Sequence, residues 1–107
     1  MRNLWKKKRF QIDKLVIKDI TVYTKQNCVY CVKAKALLKG LGLTFTEKSL
    51  ETDFNSDPIK LIEDIGKKVR AMPQIKIEGE LVGGYNQLIE YFNNKGVVNF
   101  KGEIVRD

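Results

Sequence analysis

The chain has only two cysteines, no histidine and a single tryptophan among 107 residues. Because Cys28 and Cys31 stand three apart, a bond between them closes a very small loop, which excludes a stapling disulfide framework. A zinc site begun by this pair has no histidine and no third cysteine to finish it, and would need a dimer or carboxylates. No apolar run approaches the ~20 residues that cross a bilayer. Asp13, Lys14, Lys18 and Asp19 interrupt the stretch where a secretory signal keeps its apolar core. No repeat or low-complexity segment is present. These absences predict a cytoplasmic protein that does not contact membrane, with its thiols in a reducing compartment. The composition, 43% hydrophobic and 31% charged, is that of an ordinary globular domain large enough for a core of its own.

Positive charge is concentrated at one end. Residues 1–19 hold seven basic and two acidic side chains, a net +5, whereas residues 20–107 hold thirteen and eleven, a net +2. The first segment therefore reads as a basic N-terminal extension and the second as the folded domain. Trp5 beside Lys6-Lys7-Lys8-Arg9 has the composition of a nucleic-acid contact, and equally that of a solvated tail. With so little charge on the body, a nucleic-acid-binding module ranks last among the functional readings.

The two cysteines sit between a strand-like and a helix-like run. Ile20-Thr21-Val22-Tyr23-Thr24 is β-branched and aromatic, as a buried strand requires. From Val29 to about Leu41, Val32, Ala36, Leu37 and Leu41 recur at helical spacing, and Gly40 and Gly42 end the run. A thiol at a helix start faces unpaired N–H groups and the positive end of the helix dipole, both of which favour thiolate, the reactive form. A second thiol one turn on is placed to attack the mixed disulfide that the first one forms. Cys28-Val29-Tyr30-Cys31 thus reads as a thiol–disulfide exchange site.

Downstream, Leu43 to Lys48 alternates as a strand, and Asp57-Pro58 starts a helix with Ile59, Ile62 and Ile65 on its apolar side and Gly66 at its end. Met72 to Ile77 and Leu81 to Gly83 form a hairpin about Glu78-Gly79-Glu80, and Tyr85, Leu88, Ile89 and Phe92 mark a last helix to Asn94. The expected order is β-α-β-α-β-β-α, with the first two strands parallel and the hairpin as an antiparallel edge. Residues 10–17 are a candidate additional strand. The stretch from Val97 to Val105 reads either as a short extended piece or as a terminal helix.

From Ile20 to Asn94 the chain resembles the glutaredoxins. Four features carry the likeness in order: Lys25 three residues before Cys28, Cys28-Val29-Tyr30-Cys31, Arg70-Ala71-Met72-Pro73, and Gly83-Gly84-Tyr85-Asn86. The combination of Cys-Val-Tyr-Cys with Met-Pro is also similar to phage glutaredoxin-like thioredoxins. The resemblance implies an α/β thioredoxin fold, a mixed four-stranded sheet flanked by helices, preceded here by the N-terminal extension. It implies a monomeric enzyme with no bound cofactor that uses glutathione as co-substrate to reduce disulfide or glutathionylated proteins.

It also implies roles. Cys28 is the expected nucleophile and Cys31 the resolving thiol. Lys25 would stabilise the thiolate and meet a glutathione carboxylate, and Tyr30 would flank the substrate sulfur. A cis Met72–Pro73 bond would present the Met72 backbone to glutathione, and Arg70 would hold its glycyl carboxylate. Gly84, Tyr85 and Asn86, at a helix start, would receive the γ-glutamyl carboxylate. This chain departs from the family pattern at Val29, where proline is usual, and at Asn86 and Gln87, where an aspartate is expected to meet the glutamyl ammonium. Some relatives share an iron–sulfur cluster between two chains, a reading the resolving cysteine disfavours. A thioredoxin-like donor, recharged by a flavin reductase and serving for instance ribonucleotide reductase, is the alternative within redox chemistry.

Overall fold

The structure, a computed structural model, describes residues 17–105. The candidate strand at 10–17, all but its last residue, and most of the basic extension therefore lie outside the described residues. Ile17, the first described position, is buried in the main core.

Five strand-forming residues, Ile20–Thr24, make β1, and all but Thr21 are buried. Such a strand is covered on both faces, and it lies inside the sheet, whose order is β2-β1-β3-β4. The neighbours are β2 (Thr46–Ser49), parallel to β1, and β3 (Gln74–Ile77), antiparallel to it. A hairpin joins β3 to β4 (Glu80–Gly83), with a register irregularity at Ile75 and Lys76. The expected mixed four-stranded sheet is thus present, and the expected elements follow in the expected order with one further helical turn after β2.

Period-two alternation assigns the two faces of β1. Ile20 and Val22 join Ile75 and Ile77 under α1 (Val29–Gly40) and α4 (Tyr85–Asn94), where Ala34, Leu38, Leu88 and Phe92 complete the main core. Tyr23 points the other way, into a smaller cluster with Leu61 and Ile65 of α3 (Pro58–Ile65), against which Met72 also packs. The ends of α3 form as the sequence requires. The Asp57 carboxylate accepts from the Ile59 N–H at 3.0 Å, Pro58 follows, and Gly66 closes the helix at φ 89°.

Two apolar faces differ from expectation. In α1 the buried residues are Cys31, Ala34, Leu37 and Leu38, whereas Val32 is 62% exposed and Ala36 lies outside. In α3 Leu61 and Ile65 are buried and Ile59 is 68% exposed. A single helical turn, α2 (Leu50–Asp53), was not foreseen. Ser49 caps it, its hydroxyl accepting from the Thr52 N–H at 3.3 Å. At the C-terminal end the extended alternative holds: Val98 and Ile104 pair antiparallel across a turn whose Asn99 side chain accepts from the N–H groups of Lys101 and Glu103, both at 2.9 Å.

Candidate active site

The register of the sheet determines where the site forms. Thr24 pairs with Ser49 and Tyr23 with Gln74, so β1 ends beside the start of β3. The chain then turns through Lys25-Gln26-Asn27, Asn27 taking φ 55°, a left-handed conformation that asparagine tolerates better than most residues. Cys28 follows as the N-cap of α1 and Cys31 lies in its first turn. The two form a disulfide with Cα atoms 5.2 Å apart. Their environments differ. Cys31 is 2% exposed, whereas Cys28 is only partly buried. Cys28 Sγ also accepts the Cys31 backbone N–H at 3.1 Å, the capping contact that would face a thiolate after reduction.

The Met72–Pro73 peptide is cis, as the resemblance implied. The Met72 carbonyl oxygen lies 3.5 Å from Cys28 Sγ, which brings the residue before β3 directly against the disulfide. Pro73 is buried, and its carbonyl oxygen lies 3.4 Å from where a Cβ at Gly84 would stand, so the two loops lie side by side. Gly84 caps α4, and its N–H donates to Gln87 Oε1 at 3.0 Å. That N–H is consequently already engaged, and of the expected anion site the N–H groups of Tyr85 and Asn86, the first two helical positions, are the ones with no carbonyl one turn back. Tyr30 is 53% exposed. Its ring packs 5.5 Å from that of Tyr85 and carries Lys33 Nζ 5.2 Å from its centre. Cys28, Tyr30, Met72, Pro73, Gly84 and Tyr85 are therefore linked by contacts. Arg70 and Asn86 are exposed, and neither joins the contacts that link those six.

Lys25 is exposed on the other side of Cys28. It lines an open cavity of about 450 Å³ together with Cys28, Cys31, Lys35 and Glu47. Glu47 is a site residue that sequence reasoning missed. Its carboxylate accepts from Thr24 Oγ1 at 2.8 Å and pairs with Lys35 Nζ at 3.1 Å. The Thr24 hydrogen bond, and after it Lys35, hold this carboxyl below its usual range against an opposing effect of burial. Only the parallel pairing of β2 with β1 brings Glu47 to the cysteines, and no local motif announces that pairing. Among the described residues no three or more Cys, Asp or Glu side chains are grouped to hold a metal ion.

The glutaredoxin family model matches residues 20–82, which run from β1 through the disulfide and the cis proline to β4. The chain belongs to the glutaredoxin family. It is 34% identical over 79 residues to glutaredoxin 1 of Rickettsia conorii, covering 74% of this chain and 76% of that one. It is 39% identical over 71 residues to glutaredoxin 3 of Escherichia coli K12, covering 65% and 81%. Among solved structures, glutaredoxin 1 of Francisella tularensis, crystallised with cacodylate, superposes with a TM-score of 0.61 at 24% identity, over 72% of this chain and 94% of that one. The fold is thioredoxin-like, and this glutaredoxin-family chain is a redox protein of thiol–disulfide type with a cysteine pair able to form a disulfide. No helix among the described residues is long and apolar enough to cross a membrane.

Proposed function

We propose that this glutaredoxin-family protein is a glutathione-dependent oxidoreductase that reduces protein disulfides and glutathione mixed disulfides through Cys28 and Cys31. The asymmetry of the pair carries the reading: Cys28 is accessible at the helix cap and Cys31 is shielded behind it. In the forward direction the Cys28 thiolate attacks one sulfur of a protein disulfide, forming a mixed disulfide and expelling the other protein sulfur as thiolate, which takes a proton from solvent. The Cys31 thiolate then attacks Cys28 Sγ, releasing the substrate dithiol and leaving the Cys28–Cys31 disulfide seen here. One glutathione thiolate opens that disulfide at Cys28, and a second takes the glutathionyl group. Two glutathiones thus become one glutathione disulfide for each disulfide reduced.

The residues around Cys28 suit a γ-glutamyl tripeptide. In this reading Lys25 and Arg70 meet carboxylates, Tyr30 walls the sulfur, and the Met72 backbone beside Pro73 pairs with the peptide. Gly84, Tyr85 and Asn86 receive the γ-glutamyl end, through the N–H groups of Tyr85 and Asn86. No cofactor is bound in this cycle. The protein works as a monomer in a reducing, cytoplasmic setting, on disulfide or glutathionylated proteins.

The test is reduction of a glutathionylated peptide coupled to glutathione reductase. Cys28→Ser is expected to abolish turnover, whereas Cys31→Ser retains much of it, since a glutathione mixed disulfide needs only one thiol. Equal loss in both variants would sink the assignment. Absence of glutathione-driven turnover in the wild type, with recharging by a flavin reductase instead, would make the protein a thioredoxin-like donor.

A further inference from the structure

The surface around Cys28 is apolar at its centre and cationic at its rim. Val29 is 67% exposed, Tyr30 53% and Val32 62%, an apolar group that stays open to solvent although the Tyr30 ring also packs against Tyr85. Helix α1 places Lys33 and Lys35 beside it and has no acidic residue anywhere along its length. From Gly66 to Pro73 the chain carries Lys67, Lys68 and Arg70, again with no acid, and ends at the Met72 carbonyl that touches Cys28 Sγ. At ~3.5 Å per residue, Lys68 lies within about 14 Å of Met72 along the chain. Three carboxylates approach this end of the sheet, and each is engaged. Glu47 binds Thr24 and Lys35, Glu51 accepts the Gln26 N–H at 3.1 Å, and Asp53 accepts the Ser49 N–H at 2.6 Å. Exposed acids gather instead at the opposite end of the sheet, where the Glu78 N–H donates to the Asp19 carbonyl and Glu80 begins β4.

We propose that this face selects polypeptide disulfides set in acidic sequence, the apolar centre packing on the substrate chain and the lysine rim drawing in its carboxylates. The inference rests on the thiol–disulfide exchange at Cys28 proposed above, but not on glutathione as the reductant. The rim charges act through their field around Cys28, and so mainly on the rate of encounter. The same fields repel a basic substrate.

The experiment traps the first exchange step without glutathione. Full-length Cys31→Ser protein is mixed with three disulfides: a peptide disulfide flanked by Asp and Glu, the same peptide flanked by Lys, and uncharged 2-hydroxyethyl disulfide. In each case Cys28 displaces one thiolate and keeps the other half as a mixed disulfide, which mass spectrometry times. The acidic peptide is expected to react at least ~10-fold faster than the basic one at low salt. The gap should close towards 0.5 M salt, about where the Debye length falls below ~5 Å. It should also shrink or reverse in a Lys33→Glu, Lys68→Glu variant whose rate with the uncharged disulfide is unchanged. Equal rates with both peptides, alongside a normal rate with the uncharged disulfide, overturn the substrate class alone. A preference that the two charge reversals leave unchanged also overturns it. No adduct with any of the three removes the exchange chemistry, and this proposal with it.

Discussion

Tyr23 shows how much a single side chain can join. It is 2% exposed in β1, an interior strand, and its hydroxyl donates to Asp64 Oδ2 of α3 at 2.7 Å. Burial, and then the Asp64 carboxylate, push the Tyr23 hydroxyl well above its ordinary pKa, and the same hydrogen bond is the largest influence holding Asp64 below its own. Lys48 Nζ reaches Asp64 Oδ2 at 3.0 Å, so the carboxylate fastens α3 to two strands. The sequence reveals Tyr23 as a strand residue but not its partner, which lies 41 positions away and is brought near only by the packing of α3 on the sheet. Tyr23→Phe keeps the ring and removes the bond. It is expected to cost about 1.5–2 kcal/mol, the lower part of the range for a hydrogen bond to a charged acceptor because Asp64 retains Lys48. Urea unfolding at pH 7 measures this, and an unchanged midpoint would show the bond to be worth nothing. The sign at high pH also follows. A raised pKa in the folded state gives stability that is whole below the unfolded value near 10 and is lost as pH climbs beyond it, and the Phe variant should lack that loss.

Helix ends were legible in the sequence, and so was the face of α4, whose Leu88 and Phe92 are buried with Tyr85 and Ile89 packed beside them, whereas the faces of α1 and α3 were legible only in part. Asp57-Pro58 and Gly66 delimit α3 as capping chemistry requires, and the Cys28 cap begins α1. The apolar positions misled for a reason that belongs to the site. Val29, Tyr30 and Val32 are apolar because the face around the disulfide is, so periodicity there does not report burial. In α3 the expected apolar position Ile59 is exposed, and Leu61 lies inside in its place. A pair of substitutions separates the two positions. Leu61→Ala is expected to destabilise by about 2–5 kcal/mol, as for a large side chain removed from a packed cluster. Ile59→Ala should stay within about 0.5 kcal/mol, as for an ordinary surface change. Urea midpoints of the two variants decide it, and comparable losses would mean that Ile59 packs against something. The short α2 escaped notice because one capped turn has no periodicity to read, even though Ser49 announces its start.

At the scale of the whole molecule, the order of elements and four separated segments were enough to place the chain in its family, since each local signal agreed with the same topology. What topology adds is a set of cross-links between elements, and these run through two carboxylates. Glu47 ties β2 to β1 through Thr24 and to α1 through Lys35, and Asp64 ties α3 to the sheet through Tyr23 and Lys48. Both carboxyls have folded-state pKa values below their ordinary ones, the first chiefly through Thr24 and the second chiefly through Tyr23. In acid the unfolded chain therefore binds protons that the folded chain resists, and stability falls with pH. The contribution is complete above the unfolded carboxyl values near 4 and disappears as pH drops through the folded ones. A chain of net charge +7 at pH 7 becomes more positive over the same interval, and its self-repulsion adds to the loss. The expected result is a urea midpoint that is level from pH 7 to about pH 5 and declines steeply towards pH 2. A Glu47→Gln, Asp64→Asn variant should begin from a lower midpoint at pH 7 and decline less. If both proteins lose stability along parallel curves, the acid response comes from general charge repulsion, and the two cross-links do not control it.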